Sequence, residues 1–231
     1  MDLRNKVIVI TGASRGLGKE LAMQLFKQGA KLVLGSRSKD ELSDLAAKTN
    51  ALYSVIDVKI KAEVRELANM AITKLGSIDV WINNAGIIMP QSPAEDMDSD
   101  RVHEVMEVNL FGTLYGSSES IKQMKKQKYG TVVNISSAAG LEGKKGLSGY
   151  VATKFAVSGF TKSIRLETEP FNIKVICVYP GGIKTNLFDE ERPKSFEDFM
   201  DPSLVARKII QNIKKEIPKE ELVLRRRKPK L

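Results

Sequence analysis

Val7 to Thr11 is a continuous, β-branched apolar run, as expected of a strand buried on both faces. From Arg15 to Gln28 the apolar positions are Leu17, Leu21, Leu25 and Phe26, a helical spacing, and Gly29 supplies the stop. The same alternation continues. Strand-like runs cover Lys31 to Ser36, Leu52 to Ile56, Ile78 to Asn83, Gly130 to Ser136 and Ile173 to Tyr179. Helical patterns cover Asp40 to Lys48, Ala62 to Leu75, a long stretch from Asp100 to Lys126, Tyr150 to Glu167, and Ser203 to Lys215. Glu221 to Arg225 reads as a further strand at a sheet edge, with basic residues guarding that edge.

Strictly alternating segments predict an α/β fold: a single doubly wound, Rossmann-type domain over 1–231, whose parallel sheet of six or seven strands carries helices on both faces. No solenoid repeat or low-complexity linker interrupts it. The segment 186–202 is irregular, mixing acidic residues with Phe188, Phe196 and Phe199, and is expected to form a flap over a substrate. Residues 217–231 are expected to form a basic C-terminal strand and tail.

Composition narrows the setting. A chain of 231 residues with 42% hydrophobic content can fill one substantial core. Its one cysteine, Cys177, excludes an intrachain disulfide and suggests a reducing, cytoplasmic location. Cys177 lies in the run Val175 to Val178 and is expected to be a small buried hydrophobe. No secretory h-region opens the chain, and no apolar run reaches the roughly 18 residues of a membrane span. The net charge of +9 is uneven, because Lys214 to Leu231 holds eight Lys/Arg against three Glu. The remainder is only modestly basic, which argues against nucleic acid as the partner. Contact of the tail, Arg225 to Lys230, with an anionic membrane is the less favoured reading beside the edge guard.

The first strand runs into Thr11-Gly12-Ala13-Ser14-Arg15-Gly16-Leu17-Gly18. Glycines there permit a tight turn and close approach of a ligand, and the following helix offers free N–H groups to a pyrophosphate. By itself the loop also fits an ordinary strand-to-helix turn. Its Gly-x-x-x-Gly-x-Gly spacing resembles the short-chain dehydrogenase/reductase family, and further motifs follow in order. These are Asn83-Asn84-Ala85-Gly86, Asn109, Ser137 thirteen residues before Tyr150, Tyr150-x-x-x-Lys154, and Pro180-Gly181-Gly182-Ile183-x-Thr185. The resemblance covers roughly residues 5 to 186.

The resemblance implies a nicotinamide dinucleotide cofactor, with Pro180, Gly181, Ile183 and Thr185 on its nicotinamide side and Asp57-Val58 at its adenine. NAD enzymes of this fold place an Asp at the end of the second strand. By resemblance that position is Ser36, followed by Arg37. With no carboxylate to repel a 2′-phosphate, and with Arg15 and Arg37 able to bind one, NADP(H) is expected in preference to NAD(H).

Tyr150 and Lys154, four apart on a helical stretch, share one face. A nearby ammonium and a bound oxidised nicotinamide can together lower a phenol whose ordinary pKa is near 10. The resemblance implies hydride exchange at a carbonyl or alcohol carbon. Tyr150 would be the general acid/base and Ser137 a hydrogen-bond donor to the substrate oxygen. Lys154 would also bind ribose hydroxyls, and Asn109 would hold a proton-relaying water. The alternative is a catalytically silent dinucleotide-binding sensor or partner protein. Ile87 to Met89, Ala138 to Leu147 and the flap are expected to bound the substrate pocket, whose apolar side chains suit an apolar or aromatic carbonyl compound. A homodimer through the stretches Glu104 to Lys126 and Tyr150 to Glu167 is likewise implied by resemblance. His103 is expected at the surface, and no cluster has metal-ligand spacing.

Overall fold

The computed structural model describes residues 1–225. Among them a single, wholly parallel sheet contains β1 (Val7–Thr11), β2 (Lys31–Ser36), β3 (Leu52–Val55), β4 (Val80–Asn83), β5 (Gly130–Ile135), β6 (Ile173–Pro180) and β7 (Glu221–Leu224). Their spatial order is β3-β2-β1-β4-β5-β6-β7. The chain steps outward from β1 to β3, then crosses to the other side of β1 at β4. The loops leaving β1 and β4 therefore diverge, and a crevice opens at the carboxyl ends of these strands.

Both faces of the sheet are covered, as the unbroken apolar runs require. Ile8 and Ile10 of β1 point into a core built with α1 (Gly16–Phe26), α2 (Lys39–Thr49) and α7 (Pro202–Ile213). Val7 and Val9 point the other way, into a core with α3 (Lys61–Leu75), α5 (Gly112–Gln127) and α6 (Ser148–Thr168). Strand β3 lies at the edge, and there the burial alternates along the strand. β7 closes the opposite edge, where the seventh strand was expected. Of the predicted basic guard, Arg225 is described and exposed; Arg226 to Leu231, which carry most of the tail's charge, lie outside the described residues.

One element differs in kind from its expectation. The single helix expected over Asp100 to Lys126 is instead α4 (Ser99–Met106), a π-helical turn (Glu107–Phe111) and α5. Asp98 caps α4 by accepting the N–H groups of Asp100 and Arg101 at 3.0 and 3.1 Å. A π-turn inserts one residue without breaking the apolar pattern, so periodicity does not reveal it. Here it lets Asn109 face the loop after β4 while Gly112 packs on Val58.

Beneath the crevice, a buried polar chain fastens the sheet to α5 and α6. Trp81 Nε1 donates to Asn83 Oδ1 at 2.7 Å, and Asn83 Nδ2 donates to Asn134 Oδ1 at 2.8 Å and to Ser117 Oγ at 3.0 Å. Asn134 Nδ2 in turn donates to Thr161 Oγ1 at 3.0 Å. The helix approaches so closely that a Cβ on Gly116 would stand 2.1 Å from Asn83 Oδ1. Fully satisfied buried networks of this kind fix one arrangement of the elements they join. Asn83→Ala strips partners from three buried groups and is expected to cost about 2–4 kcal/mol, read as a lower urea midpoint at an unchanged m-value. A loss below about 0.5 kcal/mol would refute the tie.

Candidate active site

The carboxyl ends of the central strands open into a cavity of about 550 Å³. At its centre, two loops meet backbone to backbone. Gly12 has φ +64°, and a Cβ there would lie 2.7 Å from Ala85 Cα. Asn84 Nδ2 donates to the carbonyls of Thr11 and Gly12 at 3.1 and 2.9 Å. Thr11 Oγ1 accepts the N–H groups of Asn84 and Ala85 at 3.2 and 3.3 Å. These bonds fix the loop after β1 against the loop after β4. Gly18 is set one turn into α1, where a Cβ would fall 2.2 Å from the Gly12 carbonyl oxygen.

Gly12, Ser14, Arg15, Gly16 and Leu17 line the cavity together with Asn84, Ala85 and Gly86. Gly18 does not line it; it serves the packing behind. The α1 N-terminus has no side-chain cap, so its first N–H groups are left to whatever occupies the cavity. Ser36, Arg37, Asp57 and Val58 line the end beyond β2 and β3. Ser36 Oγ accepts the N–H of Ser38 at 3.2 Å, and Asp57 Oδ1 accepts that of Lys59 at 3.0 Å. Arg15 and Arg37 are exposed, and their side chains make no hydrogen bond or ion pair among the described residues. A glycine cradle, an uncapped helix end and two free guanidinium groups suit a phosphorylated dinucleotide. Ser38 also lines this end, and only its place directly after Arg37 could have signalled it.

Ser137, Tyr150 and Lys154 line the opposite end with Pro180, Gly181, Ile183 and Thr185. Ser137 follows β5 and accepts the Ala139 N–H at 3.1 Å, leaving its own proton free to donate. Tyr150 and Lys154 are 6% and 5% exposed. Lys154 Nζ donates to the Ile135 carbonyl at 3.2 Å and stands 5.7 Å from the centre of the Tyr150 ring. Burial pushes the Tyr150 hydroxyl up to about 12, against a lowering hydrogen bond from Ser137. Burial also brings Lys154 down to about 8. Desolvation of the phenolate thus outweighs the hydrogen bond from Ser137.

Asn109 is 1% exposed and stands behind the cavity wall. Its Oδ1 accepts the Ile87 N–H at 2.8 Å; its Nδ2 donates to the Ile87 carbonyl at 2.9 Å and to Thr153 Oγ1 at 3.3 Å. The amide clamps the wall to α6. Thr153, one residue before Lys154, was not singled out from the sequence.

The segment expected to be irregular contains two short 3₁₀ turns, Asn186–Phe188 and Phe196–Asp198. Its ends are fastened together: Met200 N donates to the Gly182 carbonyl and Lys184 N to the Met200 carbonyl, both at 2.9 Å. Phe188, Phe196 and Phe199 pack with ring centres 5.2–6.2 Å apart, so the loop carries a small core of its own. His103 is exposed on α4. Cys177 is buried, and burial pushes its thiol up, away from thiolate chemistry. Among the described residues no His/Cys/Asp/Glu group could hold a metal, and no helix is long and apolar enough to cross a membrane.

Comparison with known proteins agrees with this geometry. The family model described as short chain dehydrogenase matches residues 6–195. An uncharacterized oxidoreductase of Staphylococcus saprophyticus is 37% identical, covering 90% of this chain and 89% of the relative. A 3-alpha-(or 20-beta)-hydroxysteroid dehydrogenase of Mycobacterium tuberculosis is 36% identical, covering 81% of this chain and 72% of the relative. Among solved structures, a 3-ketoacyl-(acyl-carrier-protein) reductase from Brucella melitensis complexed with NADH superposes with a TM-score of 0.90 at 27% identity, covering 96% of this chain and 97% of that one. An alcohol dehydrogenase from Thermococcus sibiricus complexed with 5-hydroxy-NADP gives 0.87 at 27% identity, covering 98% and 99%.

The buried lysine makes stability depend on pH. Below about 8, Lys154 is charged in both the native and unfolded chains, and the burial cost is felt in full. Between about 8 and the ordinary value of 10.5, the unfolded chain holds the extra proton, so stability rises with pH. Tyr150 opposes this only above its ordinary 10, where the unfolded chain loses its proton first. From pH 8 to 10, the stability of the native chain relative to Lys154→Met is expected to climb, with a ceiling of about 1.4 kcal/mol per pH unit. A flat difference across chemical denaturation curves in that window would contradict the lowered lysine.

Proposed function

We propose, from the premise that this chain belongs to the short-chain dehydrogenase family, that it is an NADP(H)-dependent oxidoreductase acting on a carbonyl or alcohol substrate. The observation that carries this reading is the convergence of Ser137, Tyr150 and Lys154 at one end of the cavity that the glycine loop opens. The bound dinucleotide supplies or takes up the hydride. The residues of the chain provide binding, orientation and the proton.

In reduction, the Tyr150 hydroxyl releases its proton to the carbonyl oxygen. Its raised pKa keeps that proton in place at neutral pH until the oxygen gains charge. Ser137 donates a second hydrogen bond to the same oxygen. Lys154 favours the phenolate as it forms and offers its ammonium to ribose hydroxyls. Asn109 acts as a positioning residue through Ile87 and Thr153. In oxidation, Tyr150 takes the proton from the alcohol.

The preference for NADP(H) rests on the unpaired Arg15 and Arg37 and on Ser36, where a carboxylate would exclude a 2′-phosphate. Assembly as a homodimer is supported by Phe155 and Leu166, which α6 leaves exposed, and by Phe111 beside α5. A cytoplasmic location accords with the single buried cysteine. Loop 186–202, whose Leu187 and Phe188 line the cavity, serves as the substrate flap.

Two measurements test this reading. Tyr150→Phe is expected to keep NADPH binding and lose at least ~100-fold in turnover; unchanged turnover would remove Tyr150 from the chemistry. Arg37→Ala is expected to weaken NADPH binding by about tenfold or more while sparing NADH. Tighter binding of NADH than NADPH by the unmodified chain would overturn the cofactor assignment.

A further inference from the structure

In the substrate half of the cavity, Ile87, Ile88, Leu147, Leu187 and Phe188 provide an apolar lining. Arg101, from the first turns of α4, also lines it. Its side chain is only 22% exposed, an uncommon setting for a guanidinium without purpose. It is held from two sides: Nη1 pairs with Glu104, and Nη2 donates to the Ile88 carbonyl at 3.0 Å. The third contact comes from the flap, where Glu190 Oε2 and Oε1 accept from Nη2 at 3.0 and 3.2 Å.

This last pairing is easily exchanged. Nη2 has two hydrogens and faces three acceptors, so Glu190 shares a donor with Ile88. Glu190 is 63% exposed and returns to water readily when the flap lifts. Arg101 cannot do so, being held in the wall by Glu104 and the Ile88 carbonyl, and without Glu190 its Nη2 has a hydrogen left to offer an incoming anion. Of the other charged groups lining this half, Lys144 pairs with Glu142 at 2.8 Å, and Asp189 is bound by Arg192 and by Asn186. Lys154 donates to the Ile135 carbonyl and belongs to the reacting end with Tyr150.

We propose that Arg101 is a specificity-determining residue that selects carbonyl substrates carrying a carboxylate, which takes the place of Glu190 on its guanidinium. This deepens the oxidoreductase reading above and rests on it. The substrate class is an oxo acid with an apolar or aromatic body: its carbonyl lies at Ser137 and Tyr150, and its carboxylate at Arg101. Glu190 holds the anion position in this structure and competes with the incoming acid.

The test is calorimetric binding of 4-acetylbenzoate and of its methyl ester to the intact chain, with NADP⁺ present and absent. The acid is expected to bind about tenfold more tightly than the ester. Glu190→Gln, at an exposed side chain, is expected to tighten the acid severalfold and leave the ester unchanged. Arg101→Gln is expected to erase the preference, and Arg101→Lys to retain part of it, so that a folding defect is told apart from loss of the charge. Equal binding of acid and ester, or no binding of either, would overturn the proposal. So would an equal shift of both ligands by Glu190→Gln, which marks a plain flap latch. Preferential binding of the acid without NADPH oxidation on any carbonyl compound would sink the oxidoreductase reading and leave the anion site standing.

Discussion

The approach of the Gly12 backbone to Ala85 is the contact on which the rest of the cavity depends. Two loops that leave neighbouring parallel strands in different directions are held at a separation that admits no side-chain carbon. Asn84 fills the joint with two hydrogen bonds to carbonyls, and Thr11 returns two acceptor bonds to backbone N–H groups. Because both loops are pinned, the uncapped start of α1 and the wall from Gly86 to Met89 stand at fixed places relative to each other. The same wall is secured from behind by Asn109, which can reach Ile87 because a π-turn interrupts the helix there. Hydrogen bonds from side chains to the backbone, more than apolar packing, therefore set the shape of the site.

Burial sets its electrostatics. Tyr150 and Lys154 share a face of α6 and are almost fully withdrawn from water, so each is displaced toward its neutral form. A phenol raised to about 12 holds its proton at neutral pH, and its phenolate, once formed, is a strong base. A lysine near 8 sits close to the point where a nearby negative charge would keep it protonated. Both groups thus respond to charge introduced beside them. The cost is carried by the core beneath, where the chain from Trp81 through Asn83 and Asn134 to Thr161 satisfies every polar atom it buries. Site and scaffold meet in α6, which supplies Thr161 to the network and Tyr150 to the cavity.

Much of this was legible in the residues. Alternating apolar runs located the strands because a parallel sheet buried on both faces leaves them no polar positions. The runs blurred where an edge relaxed that demand, as at β3, whose outer residues face water. The glycine loop and the Tyr150–Lys154 pair were legible from spacing, since each spacing answers to a turn or a helical face, whereas Asn84 and Ser137 were marked by resemblance to the family's motifs. Arg101 and Thr153 were not, because nothing near them in the chain marks a residue whose importance comes from what packs against it. The π-turn escaped for a related reason: one inserted residue leaves an apolar pattern intact and changes only the directions in which side chains point.

By itself, then, the sequence determined the alternation of elements, the doubly wound parallel sheet, and the chemical types available at its carboxyl edge. These follow from local rules: period, turn chemistry and the spacing of two side chains on one helix. Only the tertiary structure decided which of those groups meet and in what protonation state. It showed Asn109 behind the wall and Gly18 behind the loop, and it withdrew Tyr150 from water, which raises its pKa. It also brought Glu190 of the flap onto Arg101 from 89 residues away. Desolvation and long-range contact depend on the whole surrounding fold, and no window of sequence contains them.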